Sequence, residues 1–251
     1  VRAHVVFVHG LSGHLEKTWT VKGTNSPELW PKWLAEDISG IGLWLVDYPA
    51  AKTNWRGHGM PLSDRADNIL ARLLLEPRLA RGNIIFVVHS LGGLVVEQLL
   101  RNAYRDITNN RKTEDFLTRV RRIAFLGTPH RGSLHANIIN ALWLLARPSA
   151  STRDLAVGNP QLRDLNFWYR QYSRDNGIQN LVLAEGRPER FLGIALPETL
   201  GTVVSPNSAD AGLPETPKLV DHSHISICKP ANREDDVYVL LKDFIINPVR
   251  I

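Results

Sequence analysis

Ile84-Ile85-Phe86-Val87-Val88-His89-Ser90-Leu91-Gly92-Gly93-Leu94-Val95-Val96 reads as an apolar strand that runs into Ser-x-Gly-Gly and leaves as an apolar helix. A strand-to-helix turn this tight strains the serine backbone and lifts its hydroxyl above the sheet, and it needs small neighbours where other backbone comes close. Gly92 meets that need. The usual pentapeptide is G-x-S-x-G, and here Val88 stands at its first glycine, where a β-branched side chain crowds the turn. Alone, Ser90 also reads as an ordinary helix N-cap.

Working outward, short β-branched runs alternate with helix-period segments. This pattern predicts a mostly parallel sheet with helices on both faces. Strands are expected at His4 to Val8, Leu43 to Asp47, Ile84 to His89, Ile123 to Leu126, Asn180 to Glu185 and Thr202 to Ser205. Several are near-continuous apolar runs, as strands covered on both faces should be. Helical stripes run through Ile69, Leu70, Leu73 and Leu74, and through Leu94, Val95, Gln98, Leu99 and Asn102. A last amphipathic helix carries Val237, Leu240, Leu241 and Phe244 and is expected to close the domain. The 251 residues fit one α/β domain, 1–251.

The net charge of +5 comes from scattered Lys and Arg, apart from Arg119, Arg121 and Arg122. No nucleic-acid motif accompanies them, so no nucleic-acid partner is expected. The single cysteine, Cys228, excludes an internal disulfide and a multi-cysteine metal site and fits a reducing compartment. With no run near the ~20 apolar residues of a membrane span, the chain reads as soluble and cytoplasmic. Beginning at Val1, it reads as a mature or excised segment of something longer.

The second chemical signal is Val5-Val6-Phe7-Val8-His9-Gly10-Leu11-Ser12-Gly13, an early apolar strand ending in His-Gly. A hydrolytic serine in a strand-to-helix turn draws one oxyanion donor from the residue after it and another from the loop after such a strand. Those donors would be the backbone N–H groups of Leu91 and Leu11. On its own, His-Gly is a common strand-ending turn.

Taken with Gly13-His14, Thr18-Trp19, Asp47-Tyr48-Pro49 and Leu126-Gly127-Thr128-Pro129-His130-Arg131-Gly132-Ser133, these stretches form a recognisable order. It continues through Ser208-Ala209 and His224-Ile225-Ser226-Ile227-Cys228-Lys229-Pro230. The whole resembles the serine-active-site-containing lipase-like α/β-hydrolases, relatives of the glycosylphosphatidylinositol inositol-deacylase-like lipases. The resemblance covers nearly the entire chain. It implies an α/β-hydrolase fold and a serine hydrolase acting on carboxylic esters of lipid or acyl type, with no cofactor and no metal.

In this fold the triad follows the chain order serine, acid, histidine. Only His222 and His224 follow in the right place; the resemblance selects His224, which stands four residues before Cys228, with His222 as the alternative. His130 precedes every candidate acid and reads as a pocket or capping residue. For the acid, Glu185 ends an apolar strand at the carboxyl edge of the sheet, where catalytic groups collect. Asp210 follows Ser208-Ala209 and is the alternative; the resemblance supports a glutamate at the strand end and also accommodates the aspartate. Asp221 is too near His224 in sequence. Segments 133–175 are expected to form a cap, with Trp143, Phe167, Trp168, Tyr169 and Tyr172 as aromatic lining for an acyl chain or, equally, as core. Peripheral membrane contact would accompany a lipid substrate. The competing readings are a thioesterase or acyltransferase on the same triad, and a silent interaction module of a larger protein.

Overall fold

A computed structural model of the chain describes residues 1–10, 13–23, 26–48, 61–130, 160–188, 190–191, 194–195, 209–210 and 212–247. Its strands, in chain order, are β1 (Ala3–Val8), β2 (Thr20–Lys22), β3 (Pro27–Leu29), β4 (Ile41–Val46), β5 (Asn83–His89), β6 (Val120–Leu126), β7 (Gln179–Glu185), β8 (Arg190–Phe191), β9 (Ile194–Ala195) and β10 (Lys218–Val220). Six of them form one sheet in the order β10-β7-β6-β5-β1-β4. Every pairing in that sheet is parallel. The other strands make two short antiparallel pairs, β2 with β3 and β8 with β9.

The near-continuous apolar strands are explained by cover on both faces. Val6, Val8, Phe86, Val88, Phe125 and Val182 point to one side. There they pack with helices α2 (Leu62–Leu75), α3 (Leu91–Arg105) and α4 (Arg111–Arg119), and with the Pro160–Asp175 helix. Val5, Phe7, Ile85, Val87, Leu126 and Leu183 point to the other, against Trp19, Trp30, Leu34 of helix α1 (Pro31–Asp37) and the closing helix Asp236–Ile246. Each strand thus buries both of its alternating side-chain rows.

Five of the six expected strands are present within a few residues of their expected bounds. The sixth, Thr202 to Ser205, lies outside the described residues. The edge strand β10 was not anticipated, because three residues, two of them largely exposed, carry no periodic signal. Of the expected cap, 133–175, only 160–175 lies among the described residues. That stretch is a helix on which Leu162, Leu165, Tyr169 and Tyr172 are buried. Tyr169 meets Phe125 edge-on and gives its hydroxyl proton to Asn180 Oδ1 at 2.5 Å, the partner a buried phenol requires. These two tyrosines are core, whereas Phe167 on the same helix is exposed. Trp143 lies outside the described residues. No helix among the described residues is long and apolar enough to cross a membrane.

One core contact gives a pH prediction. His4 is buried with both ring nitrogens engaged: Nε2–H donates to the Arg81 carbonyl at 2.8 Å, and Nδ1 accepts from Trp44 Nε1 at 2.9 Å. Burial above all, aided by the Arg119 charge, holds its pKa below the ordinary histidine value. A depressed histidine contributes stability that is full above the unfolded-state pKa of about 6.5 and is lost as pH falls toward the folded value. In urea titrations, the wild type should lose more stability between pH 6.5 and 5 than His4→Asn, whose amide oxygen can still accept from Trp44. Parallel pH curves for the two proteins would contradict this.

Candidate active site

Ser90 sits between β5 and α3 with φ 53° and ψ −126°, and it is the one non-glycine residue at positive φ among the described residues. Such a conformation costs about 1–3 kcal/mol and persists only where the surroundings impose it. Here they do. The Ser90 N–H donates to the Leu126 carbonyl at 3.0 Å, and the Ser90 carbonyl accepts from the Gly93 N–H and from Thr128 Oγ1, each at 3.1 Å. The serine side chain makes no N-cap hydrogen bond, so capping does not explain it. Val88 is fully buried and paired in register with Val8 and Phe125, so its branched side chain fills the core instead of crowding the turn.

The small residues sit where backbone comes close. A Cβ on Gly10 would come 2.7 Å from the Ser90 Cβ, and one on Gly92 would come 2.5 Å from the Val8 carbonyl oxygen. His-Gly at the end of β1 is therefore packed directly against the nucleophile candidate. The His9 ring stacks on Tyr48 with centroids 4.4 Å apart, and the Tyr48 hydroxyl donates to the His9 carbonyl at 2.5 Å. This explains the Asp-Tyr-Pro stretch after β4, whose tyrosine clamps the end of β1. Burial also depresses the His9 pKa.

At the carboxyl edge of the sheet, three side chains from distant parts of the chain meet. His224 Nε2 lies 3.0 Å from Ser90 Oγ, and His224 Nδ1 lies 2.5 Å from Glu185 Oε1. Ser90, Glu185 and His224 are all buried, at 3%, 1% and 3% exposure. Glu185 is the last residue of β7, and β10 runs beside it, so the loop leaving β10 carries His224 back across the strand ends. The Gly186 N–H donates to the Val220 carbonyl at 2.8 Å and pins that crossing. Since Nδ1 faces a carboxylate, it carries the ring proton, leaving the Nε2 lone pair toward Ser90.

The alternatives are placed elsewhere. His222 directs Nε2 to Asp235 Oδ1 at 3.0 Å and Nδ1 to Ser226 Oγ at 3.2 Å. The Asp210 Oδ1 accepts from the Gly212 N–H at 2.7 Å. Asp221 is exposed and pairs with Arg187, whose guanidinium holds its carboxyl below the ordinary range. His130 Nδ1 meets Glu97 Oε1 at 2.8 Å, both side chains fully buried, so it braces the turn after β6 against α3. Leu91 opens α3 directly after Ser90, as an oxyanion donor must; Leu11 lies outside the described residues. No cluster of three or more metal-ligating side chains occurs among the described residues.

Two residues that support the site were missed from sequence. His89 points its Nε2 at the His224 carbonyl oxygen, 2.9 Å away, and Trp30 donates its Nε1–H to the Cys228 carbonyl at 2.9 Å. Both hold the histidine loop from across the fold, and nothing in sequence spacing marks a bond between residues 135 or 198 positions apart.

Residues 5–238 match the model of the alpha/beta hydrolase family. Protein SERAC1 of Danio rerio is 29% identical over 265 residues, an alignment covering 98% of this chain and 39% of that protein. The chain therefore spans well under half the length of the curated relatives it matches. Among solved structures, the mature lipase BlEst2 of Bacillus licheniformis superposes with a TM-score of 0.64 at 21% identity, covering 95% of this chain and 91% of that one. Phospholipase PlaB of Legionella pneumophila gives a TM-score of 0.58 at 20% identity, covering 80% of this chain and 41% of that one.

Proposed function

The chain belongs to the alpha/beta hydrolase family, and from that premise we propose that it is a serine hydrolase cleaving carboxylic esters of lipid or acyl type through a Ser90–His224–Glu185 triad. The observation that carries this reading is the single His224 ring held between Ser90 Oγ and Glu185 Oε1, at 3.0 and 2.5 Å. In this mechanism Ser90 Oγ attacks the ester carbonyl carbon while His224 Nε2 takes the hydroxyl proton. Glu185 keeps the proton on Nδ1 and stabilises the imidazolium that forms. The tetrahedral oxyanion is held by the N–H groups of Leu91 and Leu11; a fixed donor of this kind is worth about 3–4 kcal/mol. Collapse expels the alcohol, protonated by His224, and leaves an acyl group on Ser90. Water, deprotonated by the same ring, then releases the carboxylic acid. The lipase and phospholipase among the similar structures agree with an acyl-ester substrate.

The test is a fluorophosphonate probe on the purified chain, with the adduct located by peptide mass spectrometry. One adduct, on the peptide carrying Ser90, is expected, along with release of p-nitrophenol from short and medium acyl esters. A folded protein with no adduct, or with one on another serine, would remove Ser90 from the mechanism.

A further inference from the structure

We propose that His89 is a positioning residue for the base, tethering the His224 backbone so that the His224 ring stays aligned between Ser90 and Glu185. The inference rests on the triad reading above. The three groups are held unequally. Ser90 directly follows β5, a strand paired on both sides, and Glu185 is the last residue of β7, in register with Val220 of β10. His224 sits four residues beyond the short strand β10, just before the single turn Ser226–Cys228, so external ties must set its position.

His89 supplies such a tie to His224 itself. A carbonyl oxygen only accepts, so the 2.9 Å contact to the His224 oxygen requires His89 Nε2 to carry the proton and donate. His89 precedes Ser90 in sequence, so the same strand end fixes both the nucleophile and the bond that anchors its base. The His89 ring is buried, stands 5.0 Å from the His224 ring, and meets Trp19 edge-on. Burial first, then the neighbouring His224 charge, lowers its pKa to about 3, with His9 and Lys229 acting in the same direction. His89 therefore remains a neutral donor and adds no second positive charge when His224 takes the serine proton. Misplacing a catalytic group by about 1 Å costs on the order of 10²-fold in rate.

His89→Phe keeps a ring of similar size and removes the donor; His89→Gln places an amide N–H close to where Nε2 stands and keeps the donor. The two variants separate tethering from filling of space. Thermal unfolding is followed on each, together with the first-order rate of fluorophosphonate labelling and its half-saturating concentration. The low-field proton resonance of His224 Nδ1, assigned by its loss in His224→Ala, is followed in parallel. The expected result is a 10- to 100-fold slower labelling step in His89→Phe with half-saturation within about twofold and a shifted or broadened resonance. His89→Gln should label within about threefold of wild type with the resonance in place. Wild-type labelling and an unmoved resonance in His89→Phe would overturn the proposal, as would a His89→Gln labelled tenfold or more below wild type. The glutamine result decides by itself if the phenylalanine variant does not fold. Should the wild type resist labelling altogether, the triad reading fails as chemistry, while the resonance still judges the tether.

Discussion

His224→Ala is expected to lower ester turnover by about 10⁶-fold, while His222→Ala should keep it within about tenfold. Both histidines lie in the same loop, two positions apart, so loop disturbance alone would not separate them. Their ring partners do. His224 touches Ser90 and Glu185, and its removal deletes proton transfer outright; what remains is rate from binding and the oxyanion donors, about 10³ to 10⁴ over water. His222 touches Asp235, the N-cap residue of the closing helix, and Ser226 in the turn beyond His224. Its removal frees Asp235 Oδ1 from one hydrogen bond while the Asp235 carboxylate still accepts from the N–H groups of Val237 and Ala231. The measurement is turnover of a chromogenic ester by both variants, with thermal unfolding as a check on folding. Equal losses would mean the loop, and not the His224 ring, carries the activity.

The contrast between these two histidines also marks what the chain discloses without its fold. The sheet was legible because its strands bury both faces, which forces Val5 to Val8, Ile84 to Val88 and Ile123 to Leu126 to be apolar throughout. Ser90 was legible because a sharp turn demands small residues at fixed offsets, and Gly92 obeys. Val88 looked like a defect only because the side-chain row it joins, with Val8 and Phe125, is assembled from three strands. Edge strand β10 left no mark, since its pairing with β7 relies on backbone hydrogen bonds that any residue can make. The choice between Glu185 and Asp210 was open for a different reason. Glu185 closes an apolar strand and Asp210 follows Ser208-Ala209, and only the crossing of the β10 loop over the end of β7 decides which carboxylate the imidazole meets.

That crossing makes the acid the second large effect. Glu185→Gln should cut turnover by about 10⁴-fold, and Asp210→Asn should leave it within about threefold. Glutamine keeps the size of the buried side chain, so the cavity around it does not change. It loses the negative charge that faces Nδ1–H and offers, in one of its two orientations, an N–H in place of the acceptor. An N–H pointing at Nδ1 stabilises the other tautomer, with the ring proton on Nε2, where it faces Ser90 Oγ and cannot receive the serine proton. Even with the amide oxygen turned inward, the imidazolium of the transition state lacks its counter-charge in a site that is nearly closed to water, where charge is felt most strongly. Asparagine at 210 keeps an oxygen that can accept from the Gly212 N–H, as the Asp210 Oδ1 does at 2.7 Å. Steady-state turnover of the two variants, measured beside their unfolding midpoints, tests the assignment. A severe loss in Asp210→Asn with Glu185→Gln near wild type would transfer the acid role to Asp210 and require the His224 loop to adopt another course in the working enzyme.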